Sequence, residues 1–270
     1  MKRRVKNIIL RILNRQGYKL VALDLQNEKR SFHREDVAQA YKIIQSNTMV
    51  PYEGLVSLWD QVQYVEDAGI QGDLVECGTW KGGAVGLMAL ANIQFGKSRR
   101  NIHLFDSFTD ICEPDEQMDG AVAVDQARKW SKSGGTSGKL EPLTGFYDQF
   151  GGYGTLEVNK DLLENHIGYP SEFLHYHVGW FQEVLPTAVN EIDKISILRL
   201  DGDWYASTKV CLEYLYNKVV AGGFIIIDDY GAYEGCKKAV DEFIEELPQR
   251  PYLIPVNNYI RYWIKNEERY

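Results

Sequence analysis

The 270-residue chain lacks a basic excess: 30 Lys and Arg stand against 38 Asp and Glu, a formal net charge of −8 at pH 7. That argues against nucleic acid as a partner, because a nucleic-acid binder needs a positive face to neutralise phosphates. Cysteine is scarce and badly spaced for metal or disulfide work. Cys77, Cys112, Cys211 and Cys236 are scattered with no C-x-x-C pair, so neither a zinc site nor a disulfide framework is expected, and a cytoplasmic location fits. No apolar run approaches the roughly 18 residues of a membrane-spanning helix. There is no internal repeat and no dinucleotide-type G-x-G-x-x-G turn. What remains is 44% apolar and 25% charged, the composition of an ordinary soluble fold, and a length that suits one large α/β domain over residues 1–270.

The first twenty residues depart from the acidic average. "MKRRVKNIILRILNRQGYKL" has no acidic residue, and Val5, Ile8, Ile9, Ile12 and Leu13 follow helical spacing among Lys2, Arg3, Arg4, Lys6, Arg11 and Arg15. Arg11 and Arg15 break the apolar region a secretory signal would need. Two readings stand: a packing helix or dimer arm, in keeping with an expected homodimer, or a basic amphipathic helix in peripheral contact with an anionic membrane through residues 1–20.

From about residue 72 strands and helices alternate. "GDLVECG", "NIHLFDSF", "FLHYHVGW", "KISILRLDGD" and "GGFIIIDDYG" read as strands, and 82–95, 206–219 and 233–246 as helices between or after them. "YLIPVNNY" and "IRYWIK" read as a closing antiparallel pair. Continuous apolar strands joined by helices imply a parallel sheet covered on both faces. Residues 1–70 read as helices packed over that sheet. Residues 109–160 interrupt the rhythm with a Gly- and Ser-rich stretch carrying aromatics, the pattern of a lid-like insertion with little regular structure.

In such a sheet ligands bind beyond the carboxyl ends of the strands, and the acidic residues gather there: Glu76, Asp106, Asp201, Asp228 and Asp229. "VECGTWKGGA" is a glycine turn preceded by an acid. An acid there repels a pyrophosphate and suits a ligand with an amino group, such as S-adenosylmethionine. The alternative makes Glu76 the partner of a nearby Lys or Arg. Asp106 lies 28 residues beyond Gly78, where a carboxylate accepts hydrogen bonds from ribose hydroxyls; a solvated strand-end acid is the other reading. Carboxylates converging at neighbouring strand ends need protonation, Arg or Lys, or a metal to neutralise them. An all-oxygen site suits Mg²⁺, or Ca²⁺ or Mn²⁺. Helix N-capping is the alternative, with Asp203 placed to cap the helix that starts near Ala206.

"GDLVECGTWKGGA", "DSF", "GWFQEVLPT", "LRLDGDWYAST" and "GGFIIIDDYGAYEGCKKAVDEF" together resemble the macrocin O-methyltransferase family, over about residues 46–265. The resemblance implies a class I methyltransferase fold: a Rossmann-like, doubly wound, mostly parallel seven-stranded sheet with an antiparallel C-terminal strand. It implies transfer of a methyl group from S-adenosylmethionine to a deoxysugar hydroxyl, with Mg²⁺ ligated by Asp201, Asp228 and Asp229. It assigns donor contacts to Thr48, Met49, Glu76, Cys77, Gly78, Thr79, Trp80, Gly82, Gly83, Asp106, Ser107, Gly179, Trp180 and Asp201. The acceptor is then a sugar-bearing small molecule or glycan. The insertion and the basic N-terminus depart from the family pattern, and both would shape acceptor choice.

A sugar hydroxyl is a poor nucleophile, so a base is required. Asp201 is the first candidate and Asp203 the reserve. His175 and His177 share one face of a strand and form either a metal pair or a packing pair; His33, His103 and His166 have no partner visible in the sequence. Trp130, Phe146, Tyr147, Phe150 and Tyr153 either stack on sugar faces or anchor the insertion. A catechol-type O-methyltransferase and a non-catalytic protein on the same fold are the competing readings. Against the former, Trp204 stands where that type would carry a lysine base.

Overall fold

The computed structural model describes residues 34–266. The chain divides into two units, Met1–Glu35 and Asp36–Tyr270, and the second carries the sheet. The expected single domain over 1–270 spans both units, and the basic helix expected within residues 1–20 lies outside the described residues.

Among the described residues two helices, α1 (Glu35–Ile44) and α2 (Tyr52–Asp67), precede the sheet. Then come β1 (Asp73–Cys77), α3 (Gly83–Phe95), β2 (Ile102–Asp106), α4 (Gly120–Trp130), the short α5 (Leu156–Lys160), β3 (Leu174–Val178), α6 (Phe181–Ala188) and β4 (Ile195–Leu200). The chain closes with α7 (Tyr205–Leu215), β5 (Val219–Ile227), α8 (Glu234–Glu246), β6 (Ile254–Pro255) and β7 (Arg261–Ile264). The seven strands lie in the order β3-β2-β1-β4-β5-β7-β6. Strands β1 to β5 are parallel, and β7 runs antiparallel to both β5 and β6. This is the expected mostly parallel sheet with an antiparallel C-terminal strand.

Two apolar layers cover the sheet. Leu58, Trp59 and Val62 of α2 and Leu87 and Met88 of α3 pack on Leu74, Ile102, Leu104, Ile197 and Ile226. On the other face Cys211, Leu212 and Leu215 of α7 and Val240 and Ile244 of α8 pack on Val75, Cys77, Leu198, Leu200, Ile225 and Ile227. Side chains alternate between faces along a strand. Leu74, Ile197 and Ile226 face α2 and α3, so Glu76, Arg199 and Asp228, two residues further on, emerge on that same face at the strand ends. That parity sets the site.

The insertion is more regular than its composition suggests. Helix α4 buries Ala123, Val124 and Ala127 against the fold, a spacing of i, i+1 and i+4 that was present in the sequence among the surrounding polar residues. Two apolar clusters anchor it, one around Cys112, Ala123 and Trp204 and one around Ala127, Leu143 and Phe146. Among the described residues no helix is long and apolar enough to cross a membrane.

Candidate active site

The first wall of the site is the turn after β1. Gly78 sits at φ 86°, donates to the Phe105 carbonyl at 2.8 Å, and passes so close to Asp201 that a Cβ would run into the Asp201 carbonyl. Only glycine meets both demands. Asp106, at the end of β2, organises this turn. Its Oδ2 accepts from Thr79 N (2.7 Å), Thr79 Oγ1 (3.2 Å) and Trp80 N (3.1 Å), and its Oδ1 accepts from Phe108 N (2.7 Å). Burial raises its carboxyl above the usual range, and the same backbone donors pull the other way. Both oxygens therefore already carry bonds within the protein, beyond the ribose contact the sequence suggested.

The second wall is built on Arg199, fully buried in β4. The β1–β4 register places it directly beside Glu76. Nη1 donates to Glu76 Oε1 and, at 2.9 Å, to Asp201 Oδ2, while Nη2 donates to Asp228 Oδ1 at 2.5 Å. One positive charge is thus divided among three carboxylates. Burial pushes the Glu76 carboxyl up to about 8, against the pull of Arg199, and Glu76 Oε2 is buried with no hydrogen-bond partner. Sequence reading missed Arg199. The available signal was a charged residue inside "ISILRL", an otherwise apolar central strand, which demands a buried acid nearby.

A third group forms beside it. Carboxylate oxygens of Asp201, Asp203 and Asp229 lie within 4.8 Å of one another. This cluster includes Asp203 and not Asp228, whose Oδ1 accepts from Arg199. Asp203 does not cap α7. Trp204 occupies the N-cap position without a side-chain bond, and Asp119 from the insertion accepts from Tyr205 N at 2.6 Å instead. Relieved of capping, Asp203 sits at φ 54°, a left-handed backbone unusual for a non-glycine residue. Burial, and then the neighbouring Asp charges, raise Asp203 and Asp229 well above the carboxylate range. Among the described residues no Lys or Arg forms an ion pair with either. Three hard oxygen donors, mutually repelling and with Arg199 paired to Asp201 alone among them, fit a hard divalent cation.

These groups open on one cavity of about 380 Å³. Of the expected donor residues, Thr48, Met49, Glu76, Gly78, Thr79, Trp80, Gly83, Asp106, Ser107, Trp180 and Asp201 line it, as do Asp228 and Asp229. Cys77, Gly82 and Gly179 do not. Cys77 belongs to the buried layer beneath α7, Gly82 packs against Asn159, and Gly179 donates its N–H to the Asp106 carbonyl. Alternation along β1 dictates the first of these: if Glu76 faces the cavity side, Cys77 cannot. The lining also includes Trp130, Phe146, Tyr147 and Phe150 of the insertion together with Tyr233; Tyr153 lies outside it and is exposed. Trp204 is buried, and its Nε1 donates to the Cys112 carbonyl at 2.9 Å, so it anchors the insertion.

His103, His175 and His177 form a packing group away from the cavity, His166 pairs with Asp161, and His33 lies outside the described residues. His103 Nδ1 and His177 Nε2 share a hydrogen bond at 3.0 Å, and His103 Nε2 meets Asp73 Oδ2 at 3.3 Å. The His103 ring stacks on His175 and His177, and His177 on Phe105. His103, partnerless in the sequence, is the centre of the group.

The family model for macrocin O-methyltransferases (TylF) matches residues 2–265. The chain belongs to that family. Within the macrocin O-methyltransferase family, demethyldecarbamoylnovobiocin O-methyltransferase from Streptomyces niveus is 31% identical over 239 residues, 88% of this chain and 83% of that protein. The 8-demethyl-8-(2,3-dimethoxy-alpha-L-rhamnosyl)-tetracenomycin-C 4'-O-methyltransferase from Streptomyces olivaceus is 31% identical over 198 residues, 73% of this chain and 67% of that protein. The solved structure of the O-methyltransferase NovP superposes with a TM-score of 0.65 at 30% identity, over 82% of this chain and 83% of that one. The calicheamicin methyltransferase CalS11 shares the fold, with a TM-score of 0.54 at 17% identity over 91% and 97% of the two chains. This macrocin-family chain is an S-adenosylmethionine-dependent O-methyltransferase with the class I fold.

Proposed function

We propose that this enzyme methylates a sugar hydroxyl of a glycosylated natural product or glycan, with a divalent cation, Mg²⁺ first, at the carboxylate cluster. The observation that carries the reading is the meeting, on one cavity, of the glycine turn, the oxygen cluster and an aromatic wall. Relatives named for methylating novobiocin precursors and a rhamnosyl tetracenomycin support a sugar-bearing acceptor.

On the donor side, Glu76 lines the cavity and its buried Oε2 is an acceptor without a partner, which suits the amino group of S-adenosylmethionine. Asp201 and Asp229, common to the expected set and to the observed cluster, would hold the cation, with Asp203 the third member of the cluster. A cation bound there supplies Lewis acidity toward the acceptor hydroxyl. The base moves from Asp201, the first candidate, to Asp203. Asp201 is tied to the Arg199 guanidinium, which weakens it as a base, whereas Asp203 has no cationic partner among the described residues. Asp203 accepts the hydroxyl proton as methyl transfer proceeds. Tyr147 and Phe150 offer ring faces to the apolar face of a sugar, and by excluding water they keep the acceptor oxygen aligned with the donor.

The test is a donor-turnover screen over nucleotide sugars, glycosylated natural products and polysaccharide fragments, with and without chelator. Turnover on a sugar acceptor that chelator abolishes supports the reading. Turnover confined to small catechols, or indifferent to chelator, overturns it. A homodimer, a cytoplasmic location and peripheral membrane contact through residues 1–20 remain part of the proposal. The four free, buried cysteines support a reducing compartment. Sedimentation with anionic liposomes, with and without residues 1–20, tests the membrane contact, and size-exclusion chromatography with light scattering tests the dimer.

A further inference from the structure

The donor turn and the acceptor-facing insertion are pinned together at two adjacent residues, Trp80 and Lys81. Trp80 Nε1 donates to the Gly152 carbonyl at 3.2 Å. Lys81 Nζ donates to the carbonyls of Phe150 (3.3 Å) and Gly151 (2.9 Å) and lies 4.5 Å from the Trp80 ring centre. In return the insertion reaches back: Asn159, completely buried, donates its Nδ2 to the Trp80 carbonyl at 2.8 Å. The fit is tight enough that a Cβ on Gly154 would run into that same carbonyl. The Trp80 backbone is held at φ 45°, a conformation a bulky residue adopts only when its surroundings impose it. Its own N–H is bound to Asp106, so one short segment joins the strand ends, the glycine turn and the insertion.

The insertion supplies the aromatic side of the cavity. Tyr147 lies 6.5 Å from the Trp80 ring and Phe150 carries the carbonyl that Lys81 holds. The turn at residues 78–83 and this aromatic wall are therefore in direct contact.

We propose that Trp80 and Lys81 latch the insertion to the donor turn, so that an S-adenosyl compound on the donor side fixes the aromatic wall that receives the acceptor. Trp80 and Lys81 are positioning residues for the acceptor, acting through Tyr147 and Phe150. The proposal rests on the donor reading above.

The test is hydrogen exchange of the full chain with and without S-adenosylhomocysteine, with calorimetry for its binding. In the wild type the ligand slows exchange tenfold or more in peptides from both 78–83 and 145–154. Trp80→Phe with Lys81→Met keeps an aromatic ring but removes both donors to the insertion. In this double variant, at a concentration of S-adenosylhomocysteine that calorimetry shows to saturate it, protection persists at 78–83 and disappears at 145–154. Gly154→Ala, which wedges the latch from the insertion side, uncouples the two segments in the same way, and Lys81→Arg retains the coupling. Equal protection of 145–154 in the wild type and both uncoupling variants overturns the latch. So does a wild type in which the ligand binds yet leaves 145–154 unprotected. Failure of the ligand to bind the wild type at all is a separate result, which overturns the donor reading and the latch with it.

Discussion

Arg199 Nη2 donates to Asp228 Oδ1 at 2.5 Å beneath the open end of the sheet, and its Nη1 is shared between Glu76 and Asp201. Replacing Arg199 with Met leaves three carboxylates in low dielectric without a cation, which costs about 3–5 kcal/mol. Glu76→Gln costs less, because the amide oxygen still accepts from Nη1. In the double variant Arg199→Met/Glu76→Gln the buried carboxyl that lost its donor is gone, so the two effects fail to add by about 1 kcal/mol or more. Urea unfolding of the four proteins measures this. Additivity within about 0.5 kcal/mol would mean the Glu76 pair is energetically idle.

Asp203 belongs to a repelling cluster, so neutralising it should stabilise the cation-free protein. In chelator, Asp203→Asn gains about 1 kcal/mol, a size typical of relieving strain at a functional site. It also loses turnover and Mn²⁺ affinity. Asn tolerates the left-handed backbone at φ 54°, whereas Asp203→Ala does not and forfeits the gain. Scanning calorimetry in chelator, with Mn²⁺ titration alongside, distinguishes them; a destabilised Asp203→Asn would contradict the electrostatic account.

His177 gives the protein an acid sensitivity unrelated to catalysis. Burial first, and then the His103 charge, lower its pKa to about 4, from an ordinary 6.5. Burial shifts His175 in the same direction. The folded form keeps these rings neutral while the unfolded chain takes up protons below about 6.5. The stabilisation is therefore complete above pH 6.5 and is lost as the pH falls toward 4. His177→Gln should flatten the melting temperature across that window. An unchanged slope would assign the acid sensitivity elsewhere.

Asp119 ties the insertion to the start of α7 through Tyr205 N at 2.6 Å, and holds Asp115 N at 2.7 Å. Asp119→Ala removes a cap supplied from outside the helix and orphans two N–H groups, costing about 1–3 kcal/mol. Because α7 follows directly on Asp203, cation affinity falls too. Loss of stability in urea with unchanged Mn²⁺ affinity would confine Asp119 to a structural role.

Much of this was legible in the chain. Five apolar stretches, each ending in an acidic residue or a glycine, are enough to determine a parallel sheet and to place Glu76, Asp106, Asp201, Asp228 and Asp229 at its functional end, because strand periodicity and the direction of the chain are local properties. The motifs likewise sufficed to indicate the methyltransferase family. The helix within the insertion was harder to see, since Ala123 and Ala127 are small and weakly apolar, and only packing against Trp204 and Phe146 shows what they are for.

Partnership among the acids was decided by tertiary structure. Which carboxylate pairs with Arg199 and which joins the oxygen cluster depends on strand register, through the Glu76–Arg199 pairing across β1 and β4. It depends also on a cap delivered from residue 119, which frees Asp203. Neither relation is encoded in neighbouring residues: each joins segments some 85 to 125 positions apart, and only the folded sheet brings them within a hydrogen bond.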